Sequence, residues 1–475
     1  MPHRRLVHPP GFRDDGSEAR RLTTYAFLVP TGFAVGAILC RLLLRQAPAA
    51  FAIDRAQPLV VVTYWGNFGS LMFLALLAAV AIASVGYVAA LRHRGTLVMT
   101  VVWSILACIA ALFFPVVFSS DAYAYAAYGW MALHGLNPYA HAAVTMRGPL
   151  LDAVLWQWGN PPPVCVYGPA FVWFAQAVVA SFMGFGPDAP LWAFRTAACA
   201  ALILCAPLAY AAFPENTRAA AATGIVLNPV AIWCCAEGHN DVYVIALALA
   251  GFALIKQSRA FSGAALLALS ALLKIPGLIA AAAALVAYAR DGRFLRIGAG
   301  VVAGGAVCVA VSLPALEQLA AGSSQRGHSY FPQFSLQYVL SLPFGSTAAI
   351  VFAAALASAC FVTGAIGAWK GNRIGLGMLA LGLWIAIPNP YPWYALWILP
   401  LAFILNGSAR WALIALTLAS IVRYLPDSTT DVSQSTAVAI ALAPLAAAAL
   451  GFFAARHLAQ YTFAFGPPGK PYAGP

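Results

Sequence analysis

The chain has 475 residues, of which 62% are hydrophobic and only 8% are charged, and its formal net charge is +12. A soluble domain carries about 25% charged residues, so a soluble fold of this length would lack the charge to cover its surface. Apolar runs of about 18–20 residues recur between Thr23 and Arg456, and each is long enough to span a bilayer core. They show no alternation of polar and apolar residues, which excludes a barrel. The sequence predicts an all-α polytopic membrane protein.

The basic residues predict which side of the membrane each loop occupies. They lie in short clusters between apolar runs, which is the pattern of cytoplasmic loops rather than of a nucleic-acid-binding surface. A cytoplasmic segment, 1–22, is followed by helices predicted at about 23–43, 68–90 and 97–117. These deliver the chain to an outer loop at 118–166. By the same rule, further outer segments are predicted at 237–241, 316–336, 388–393 and 425–434.

One transmembrane domain is expected over 23–460, with a bundle of roughly 11–14 transmembrane or re-entrant helices and an amphipathic outward loop. A disordered tail is predicted at 461–475. The three apolar runs within 167–237 exceed by one the crossings that the flanking charges allow, so one run should be re-entrant or interfacial. The stretch 260–288 should form a hairpin of two short helices, broken at Lys274–Gly277.

The nine cysteines predict neither a disulfide framework nor a cofactor site. Six of them lie inside apolar runs, where cysteine acts as a small hydrophobic residue. Cys234 and Cys235 are adjacent, so they do not form a CxxC motif. We predict no cofactor, and the sequence leaves a divalent metal open.

The outer loop begins with Ser119-Ser120-Asp121, followed by alternating alanines and tyrosines. Ser120 is predicted to cap a helix that has Asp121 in its first turn. Asp121, Tyr125 and Tyr128 have i, i+4 and i+7 spacing, which places them on one face. Two interpretations remain open. This face is either a reactive surface, or an acid favoured by the helix dipole beside an interfacial belt of tyrosines.

The same loop continues through the turn Gly135–Tyr139, which contains Asn137, to a stretch rich in aromatic residues and proline that ends at Tyr167-Gly168-Pro169. Aromatic rings with a few polar groups suit both sugar faces and lipid headgroups. Each tryptophan here therefore has a functional interpretation and an alternative as an interfacial anchor.

A second polar cluster, Glu237-Gly238-His239-Asn240-Asp241, separates two apolar runs. Ionisable residues at the edge of a membrane segment are expensive to bury and are functional candidates. Three roles remain open for Glu237, His239, Asn240 and Asp241: metal binding, structural capping, and substrate binding or support of the site.

Basic residues near the predicted outer side provide candidates for binding a phosphate. Lys274 precedes Ile-Pro-Gly inside an apolar stretch and needs an anionic partner or water. A phosphate headgroup would be such a partner, and extension of the lysine to the interface is the alternative. Arg326 and His328 occupy a polar outer loop, where solvated charge is the other interpretation. The segment Asn389-Pro390-Tyr391-Pro392-Trp393-Tyr394 belongs either to the site or to an aromatic belt.

In their order and spacing these motifs resemble the polyprenol-phosphate-mannose-dependent mannosyltransferases of the GT-C superfamily, particularly the bacterial α-(1→6) enzymes. The resemblance runs from about Ser119 to Pro400 and includes Leu227-Asn228-Pro229 and Leu273-Lys274-Ile275-Pro276. It implies that Asp121 is the catalytic base. Many members have two acids in this loop, whereas here Ser120 precedes Asp121. We predict that substrate is bound by Tyr125, Tyr128, Asn137, Tyr139, Tyr167, Glu237, His239, Asn240, Asp241, Lys274, Arg326, His328, Asn389, Tyr391 and Trp393.

The resemblance implies an inverting glycosyltransferase that moves a sugar, expected to be mannose, from a polyprenyl phosphate donor to a lipid-linked or glycan acceptor. Its partners would be donor, acceptor and membrane lipid, with no nucleic acid. It would span the cytoplasmic membrane several times, with both termini cytoplasmic and the site on the outer face. A flippase or transporter of lipid-linked sugars is the alternative, and so is an assembly scaffold. A transporter should show repeated halves with broken helices at matching positions, and no such repeat is visible.

Overall fold

The computed structural model of the protein describes residues 25–45, 67–92, 96–119, 121–140, 164–186, 188–274, 276–327, 333–372, 374–405, 407–429 and 432–464. Every regular element in these ranges is a helix. In chain order they are α1 (Leu28–Arg45), α2 (Asn67–Leu91), α3 (Leu97–Leu112), α4 (Asp121–Leu133), α5 (Pro169–Phe182), α6 (Ala189–Ala212), α7 (Arg218–Val226), α8 (Pro229–Ala236), α9 (Asp241–Lys256), α10 (Ala260–Leu269), α11 (Pro276–Ala287), α12 (Phe294–Gly327), α13 (Leu336–Phe344), α14 (Ser346–Trp369), α15 (Ile374–Ala386), α16 (Pro392–Ala402), α17 (Gly407–Ala419) and α18 (Gln434–Ala464).

Within the described residues, seven segments are long and apolar enough to cross a membrane. These segments are Leu28–Arg45, Gly69–Leu91, Ala189–Ala212, Phe294–Ala315, Ser346–Trp369, Gly407–Ser428 and Gln434–Leu458. The pair α7 and α8 also passes this test if it is counted as one bent span. Shorter apolar helices, among them α3, α5, α11 and α16, complete the bundle. The prediction of an all-α polytopic membrane protein is confirmed.

The predicted third helix is shorter than expected, and a proline explains the difference. The first two helices lie within a few residues of their predicted positions. The third was expected to reach residue 117, but α3 ends at Leu112. Pro115 has no backbone N–H, and it disfavours helical geometry in the residue before it. The carbonyls of Leu112 and Phe114 are therefore free to accept hydrogen bonds from elsewhere.

The irregular crossing predicted within 167–237 corresponds to the pair α7 and α8, whose axes differ by 46°. Asn228 stands at the break, and its side chain accepts hydrogen bonds from the amides of Val230 and Ala231. Pro229 occupies the first turn, where its missing N–H is of no consequence. The local sequence thus ends one helix and starts another, which gives either a broken span or a re-entrant loop.

The predicted pair of short helices within 260–288 is confirmed as α10 and α11, which pack against each other. A turn of 3₁₀ helix, Ser270–Leu272, follows α10, and α11 begins at Pro276. Lys274 therefore lies at the break between them, as predicted. The disordered tail predicted at 461–475 begins too early, because α18 continues to Ala464. Residues 1–22 and 465–475 lie outside the described ranges.

The bundle has two ends of different chemistry, and α9 connects them. Its first residue, Asp241, lies among buried acids that we call the site end, defined by Asp121, Glu237 and Asp241. Its last residue, Lys256, lies at the basic end, defined by Lys256, Arg290 and Arg293. There Lys256 donates to the carbonyls of Ala211 and Phe213 at the C-terminal end of α6, and Arg293 donates to the carbonyl of Ile255.

Candidate active site

Asp121 is the first residue of α4, and the residue is 6% exposed. Its amide donates to the hydroxyl of Ser119 at 3.2 Å, while the predicted cap, Ser120, lies outside the described residues. Oδ2 accepts from the Tyr125 hydroxyl at 3.2 Å and from the Tyr167 hydroxyl at 3.5 Å. The predicted shared face of Asp121 and Tyr125 is confirmed. Its position at a helix N-terminus also favours the negative charge.

His239 connects Asp121 to a second carboxylate. Its Nδ1 lies 3.2 Å from Oδ2 of Asp121, and its Nε2 lies 3.8 Å from Oε2 of Glu237. The ring is completely buried, and neither nitrogen makes a well-aligned hydrogen bond. Both contacts lie within ion-pair distance, so they become ion pairs when the imidazole is protonated.

Glu237 is fixed by two donors from distant parts of the chain. The amide of Phe118 donates to Oε1 at 3.1 Å, and the hydroxyl of Tyr424 donates to Oε2 at 2.8 Å. Gly238 follows with a φ of +94°, a conformation that glycine adopts without strain. This turn directs Glu237 and His239 toward the start of α4.

The charges of this cluster favour an ionised Asp121 beside a protonated His239. Burial alone would raise the pKa of Asp121, but His239, Lys274 and the Tyr125 hydroxyl together hold it below its ordinary value. Burial would lower the pKa of His239, yet the flanking Asp121 and Glu237 raise it to about 9. At neutral pH the pair is therefore a carboxylate and an imidazolium.

Lys274 has an anionic partner in the structure, and this partner is Asp241. Its Nζ lies 2.8 and 2.9 Å from the two oxygens of Asp241, and 3.2 Å from Oδ1 of Asn240. An ammonium has three N–H donors, so each of them has an acceptor here. Trp397 donates a further hydrogen bond to Asp241 at 2.6 Å, and Asp241 is completely buried.

Three aromatic rings surround the Lys274 ammonium, at 5.6 Å for Tyr167 and 5.8 Å for both Tyr394 and Trp397. Such distances permit cation–π attraction. The Lys274 side chain retains 15% exposure. Its environment is therefore polar and lined by aromatic rings, and it leaves a small part of the lysine side chain exposed.

Gly168 brings Tyr167 close to Lys274. Its amide donates to the carbonyl of Leu273 at 3.1 Å, and a Cβ at this position would collide with the carbonyl of Leu272. The carbonyl of Tyr167 accepts a hydrogen bond from the Tyr139 hydroxyl at 2.9 Å. The two predicted motifs that contain Tyr139 and Tyr167 thus form one support for the hydroxyl that reaches Asp121.

The predicted segment 389–393 also reaches the site. The ring of Trp393 stacks on His239 with 4.0 Å between centroids, and the ring of Tyr391 stacks on Trp393 at 4.3 Å. The Arg423 guanidinium lies 4.0 Å above Tyr391 and donates to Asn389. Trp393 thus packs against both rings and is 8% exposed. Substrate binding by these residues stays a prediction.

Comparison with known proteins identifies the family. The model described as "Alpha-(1->6)-mannopyranosyltransferase, N-terminal domain" matches residues 22–290, which is more than half of the 475 residues. The chain belongs to this family. The matched range contains Asp121, the turn at 237–241 and Lys274, whereas Trp393, Trp397 and Tyr424 come from beyond it.

One similar protein is alpha-(1->6)-mannopyranosyltransferase A of Mycobacterium tuberculosis, which is 31% identical over 189 residues. That match covers 37% of this chain and 33% of the relative, so it spans about a third of the relative's length. No solved structure matches the chain. The predicted resemblance to α-(1→6)-mannosyltransferases is confirmed at the level of the family.

The remaining predicted residues of this mannopyranosyltransferase family member vary in their placement. Tyr128 packs beside Tyr167, with ring centroids 6.3 Å apart, and Asn137 accepts the amide of Tyr139 within its turn. For Arg326 only the backbone is described, at the end of α12, and His328 lies outside the described residues. In the described ranges no three His, Cys, Asp or Glu are arranged to hold a metal ion.

Sequence reasoning missed several residues that hold the site together: Arg195, Trp397, Arg423, Tyr424 and Asp427. A signal existed for Arg195 and Arg423, because each is a charged residue within an otherwise apolar run. Asp427, which pairs with Arg423 at 3.3 Å, lies instead in the predicted outer segment 425–434. Trp397 and Tyr424 gave no such signal, since many aromatic residues in membrane helices serve only as packing or as interfacial anchors.

Proposed function

We propose that this protein transfers mannose from a polyprenyl phosphate to a hydroxyl group of a glycan or glycolipid acceptor on the outer face of the cytoplasmic membrane. Asp121 is the general base of this proposal. Family membership supports mannosyl transfer. The observation that carries the proposal is the Asp121 carboxylate, buried at the start of α4 and held by His239, Tyr125 and Tyr167.

The chemistry requires one base and no general acid. The acceptor oxygen attacks the anomeric carbon, the bond from that carbon to the phosphate oxygen breaks, and the acceptor proton passes to Asp121. The polyprenyl phosphate leaves as a stable anion, so it needs no protonation, unlike the leaving group in glycoside hydrolysis. A single displacement of this kind inverts the anomeric centre.

The low pKa of Asp121 is compatible with this role. The carboxylate is ionised throughout the physiological range and is ready to accept a proton. The acceptor hydroxyl becomes strongly acidic only as its oxygen bonds to the anomeric carbon. A weak base positioned at hydrogen-bond distance can then take the proton late in the reaction.

The leaving phosphate needs positive charge, and Lys274 is the proposed source of it. Because Asp241 and Asn240 accept all three of its hydrogen bonds, binding a phosphate would require exchange of at least one of them. Trp397 could hold Asp241 during this exchange. The aromatic rings around the ammonium would then line the path of the phosphate.

The distribution of charge supports an outward orientation of the site. The basic end carries Lys256, Arg290 and Arg293, which is typical of the cytoplasmic side of a membrane protein. The site lies at the opposite end of α9. Polyprenyl phosphate sugars are used on the outer face, where nucleotide sugars are absent, so orientation and donor are mutually consistent.

The test is a transfer assay with purified protein in detergent, radiolabelled polyprenyl phosphate mannose, and a glycolipid fraction as acceptor. We expect labelled glycan with inverted anomeric configuration, and none when GDP-mannose replaces the lipid donor. Transfer from GDP-mannose alone would contradict the proposed donor. Movement of intact donor across a vesicle membrane without transfer would favour the flippase instead.

A further inference from the structure

Arg195 is a buried cation whose position the proposed chemistry does not explain. It lies in α6 and is 2% exposed. Its Nη2 donates to the carbonyls of Leu112 and Phe114 at 3.0 and 2.9 Å, and its Nε donates to the carbonyl of Ala236. In the described part of the chain its hydrogen bonds thus go to main-chain oxygens, not to an acid.

Those carbonyls belong to the ends of two helices. Leu112 ends α3, with Phe114 just beyond it, and Ala236 is the last residue of α8. The C-terminal end of a helix carries partial negative charge and unpaired carbonyls, so one guanidinium there satisfies both helices. Burying a charged side chain in an apolar segment costs free energy, so we expect Arg195 to have a structural or functional role.

Each of the two helix ends leads directly into the site. After Phe114 the chain continues to Phe118, whose amide binds Glu237, and then to Asp121. After Ala236 come Glu237 and His239. Arg195 therefore joins the two chain segments whose side chains form the Asp121–His239–Glu237 cluster.

The packing around Gly238 also links Arg195 to the segment that carries Asp121. A Cβ on Gly238 would lie 3.2 Å from the Cβ of Ala122 and 3.5 Å from the Cγ of Arg195. The turn that carries His239 is thus enclosed between the stem of Arg195 and the residue next to Asp121. A shift of Arg195 would remove one of the two side chains that enclose this turn.

We propose that Arg195 is a positioning residue, which holds His239 and Asp121 at ion-pair distance without contacting substrate. The kinetic test of this inference rests on the proposed function. The proposed effect of Arg195 on the distance between His239 and Asp121 does not depend on the reaction. A misplacement of about 1 Å in a reacting group can reduce turnover by about 100-fold, whereas binding of a distant lipid tail should be unaffected.

The kinetic test compares Arg195→Lys, Arg195→Met and a matched control, Lys256→Met. Lys256 also binds helix-terminal carbonyls, but at the basic end. We expect kcat to fall about 10-fold in Arg195→Lys and about 100-fold in Arg195→Met, with the donor KM within about twofold of the wild type. The control should keep its kcat.

A second measurement does not need activity. Diethyl pyrocarbonate modifies histidines that are both accessible and unprotonated, so a buried imidazole held between two acids should react slowly. Peptide mass spectrometry reports each site separately. His239 is fully buried and His134 is exposed, so His134 is an internal reference. In Arg195→Lys, His239 should react at least about fivefold faster relative to His134, because the turn that carries it is released. In Lys256→Met the ratio should match the wild type.

The two measurements separate this inference from the proposed function. If the wild type transfers no mannose, the proposed function fails, and the modification ratio still tests Arg195. An unchanged ratio together with unchanged kcat in Arg195→Lys would overturn the inference. Loss of folded protein in Arg195→Lys would also overturn it, because Arg195 would then stabilise the whole fold rather than align two residues.

Discussion

The two ends of α9 use charge in opposite ways. At the basic end, Lys256 and Arg293 bind main-chain carbonyls, and the ion pair of Arg293 with Asp291 is about one-third exposed. At the site end, Asp121, Glu237 and Asp241 are buried, and each has at least two polar partners. Exposed charge of the first kind contributes little to stability and sets orientation in the membrane. Buried charge of the second kind is maintained against a desolvation penalty, which indicates function.

The largest expected effect comes from removing the basic oxygen at the site end. Asp121→Asn keeps the shape but cannot accept the acceptor proton, so turnover should fall about 10²–10⁴-fold. Initial transfer rates with saturating donor, normalised to folded protein, measure this. Asp291→Asn at the basic end is the matched control and should keep its rate. Near-normal turnover in Asp121→Asn would exclude its role as base.

The next largest effect is expected from substitution of Lys274. Because Lys274 pairs with Asp241, the experiment needs a double variant. Lys274→Met leaves a buried, unpaired carboxylate, which costs about 3–5 kcal/mol. Adding Asp241→Asn removes that charge, so the double variant should recover folded protein. If Lys274 binds the donor phosphate, the double variant should still have a donor KM raised about 10-fold or more.

The double variant therefore separates two roles. Detergent-solubilised yield by size-exclusion chromatography reports folding, and transfer at varied donor concentration reports binding. Wild-type donor kinetics in the Lys274→Met, Asp241→Asn protein would show that Lys274 only neutralises Asp241. In that case Arg326 would become the better candidate for binding phosphate.

A smaller effect is expected on the pH dependence of stability. The folded-state pKa of His239 is about 9, above its ordinary value of 6.5. Protonation therefore stabilises the fold fully below pH 6.5, and this contribution is lost as the pH rises through 9. The unfolding temperature of the wild type should therefore fall as the pH is raised from 7 to 9.5. His239→Gln should reduce that slope, and an equal slope in both proteins would contradict the protonated imidazole.

The smallest perturbation tests orientation alone. Single cysteines in a cysteine-free background replace exposed His134, which follows α4 in the predicted outer loop, and exposed Ser258, which follows α9 at the basic end. A membrane-impermeant maleimide should label position 134 in intact cells and position 258 only after permeabilisation. The reverse pattern would place the site on the cytoplasmic side and remove the basis for a polyprenyl phosphate donor.

Much of the fold was predictable from sequence because lipid imposes simple rules on helices. Apolar length located α1 and α2, and the Lys-Ile-Pro-Gly break located the two helices around Lys274. Pro115 also indicated a helix end, but the prediction used only the length of the apolar run and therefore continued the third helix past this residue. Hydropathy detects the apolar run and not its hydrogen-bond pattern, so the prediction ended the helix too late.

The site was predictable in its acids and less so in their partners. Asp121, Glu237 and Asp241 were recognisable, because a carboxylate at the edge of an apolar run is costly to bury and is therefore a functional candidate. Their pairing was not, since the His239–Asp121 contact and the Lys274–Asp241 contact depend on how distant helices meet. Arg195 shows the limit most clearly, because its partners are backbone carbonyls, and any sequence provides those.

Gly168 has a consequence for mutational scans of this protein. It touches no substrate in the proposed mechanism, yet any side chain there would strike the main chain beside Lys274. A scan would find position 168 as intolerant as Asp121 and would invite the same interpretation. Because the obstructing atom is a backbone carbonyl, no second substitution elsewhere could relieve the clash by trimming a side chain. Intolerance without suppressors would therefore distinguish a spacing constraint from a chemical one.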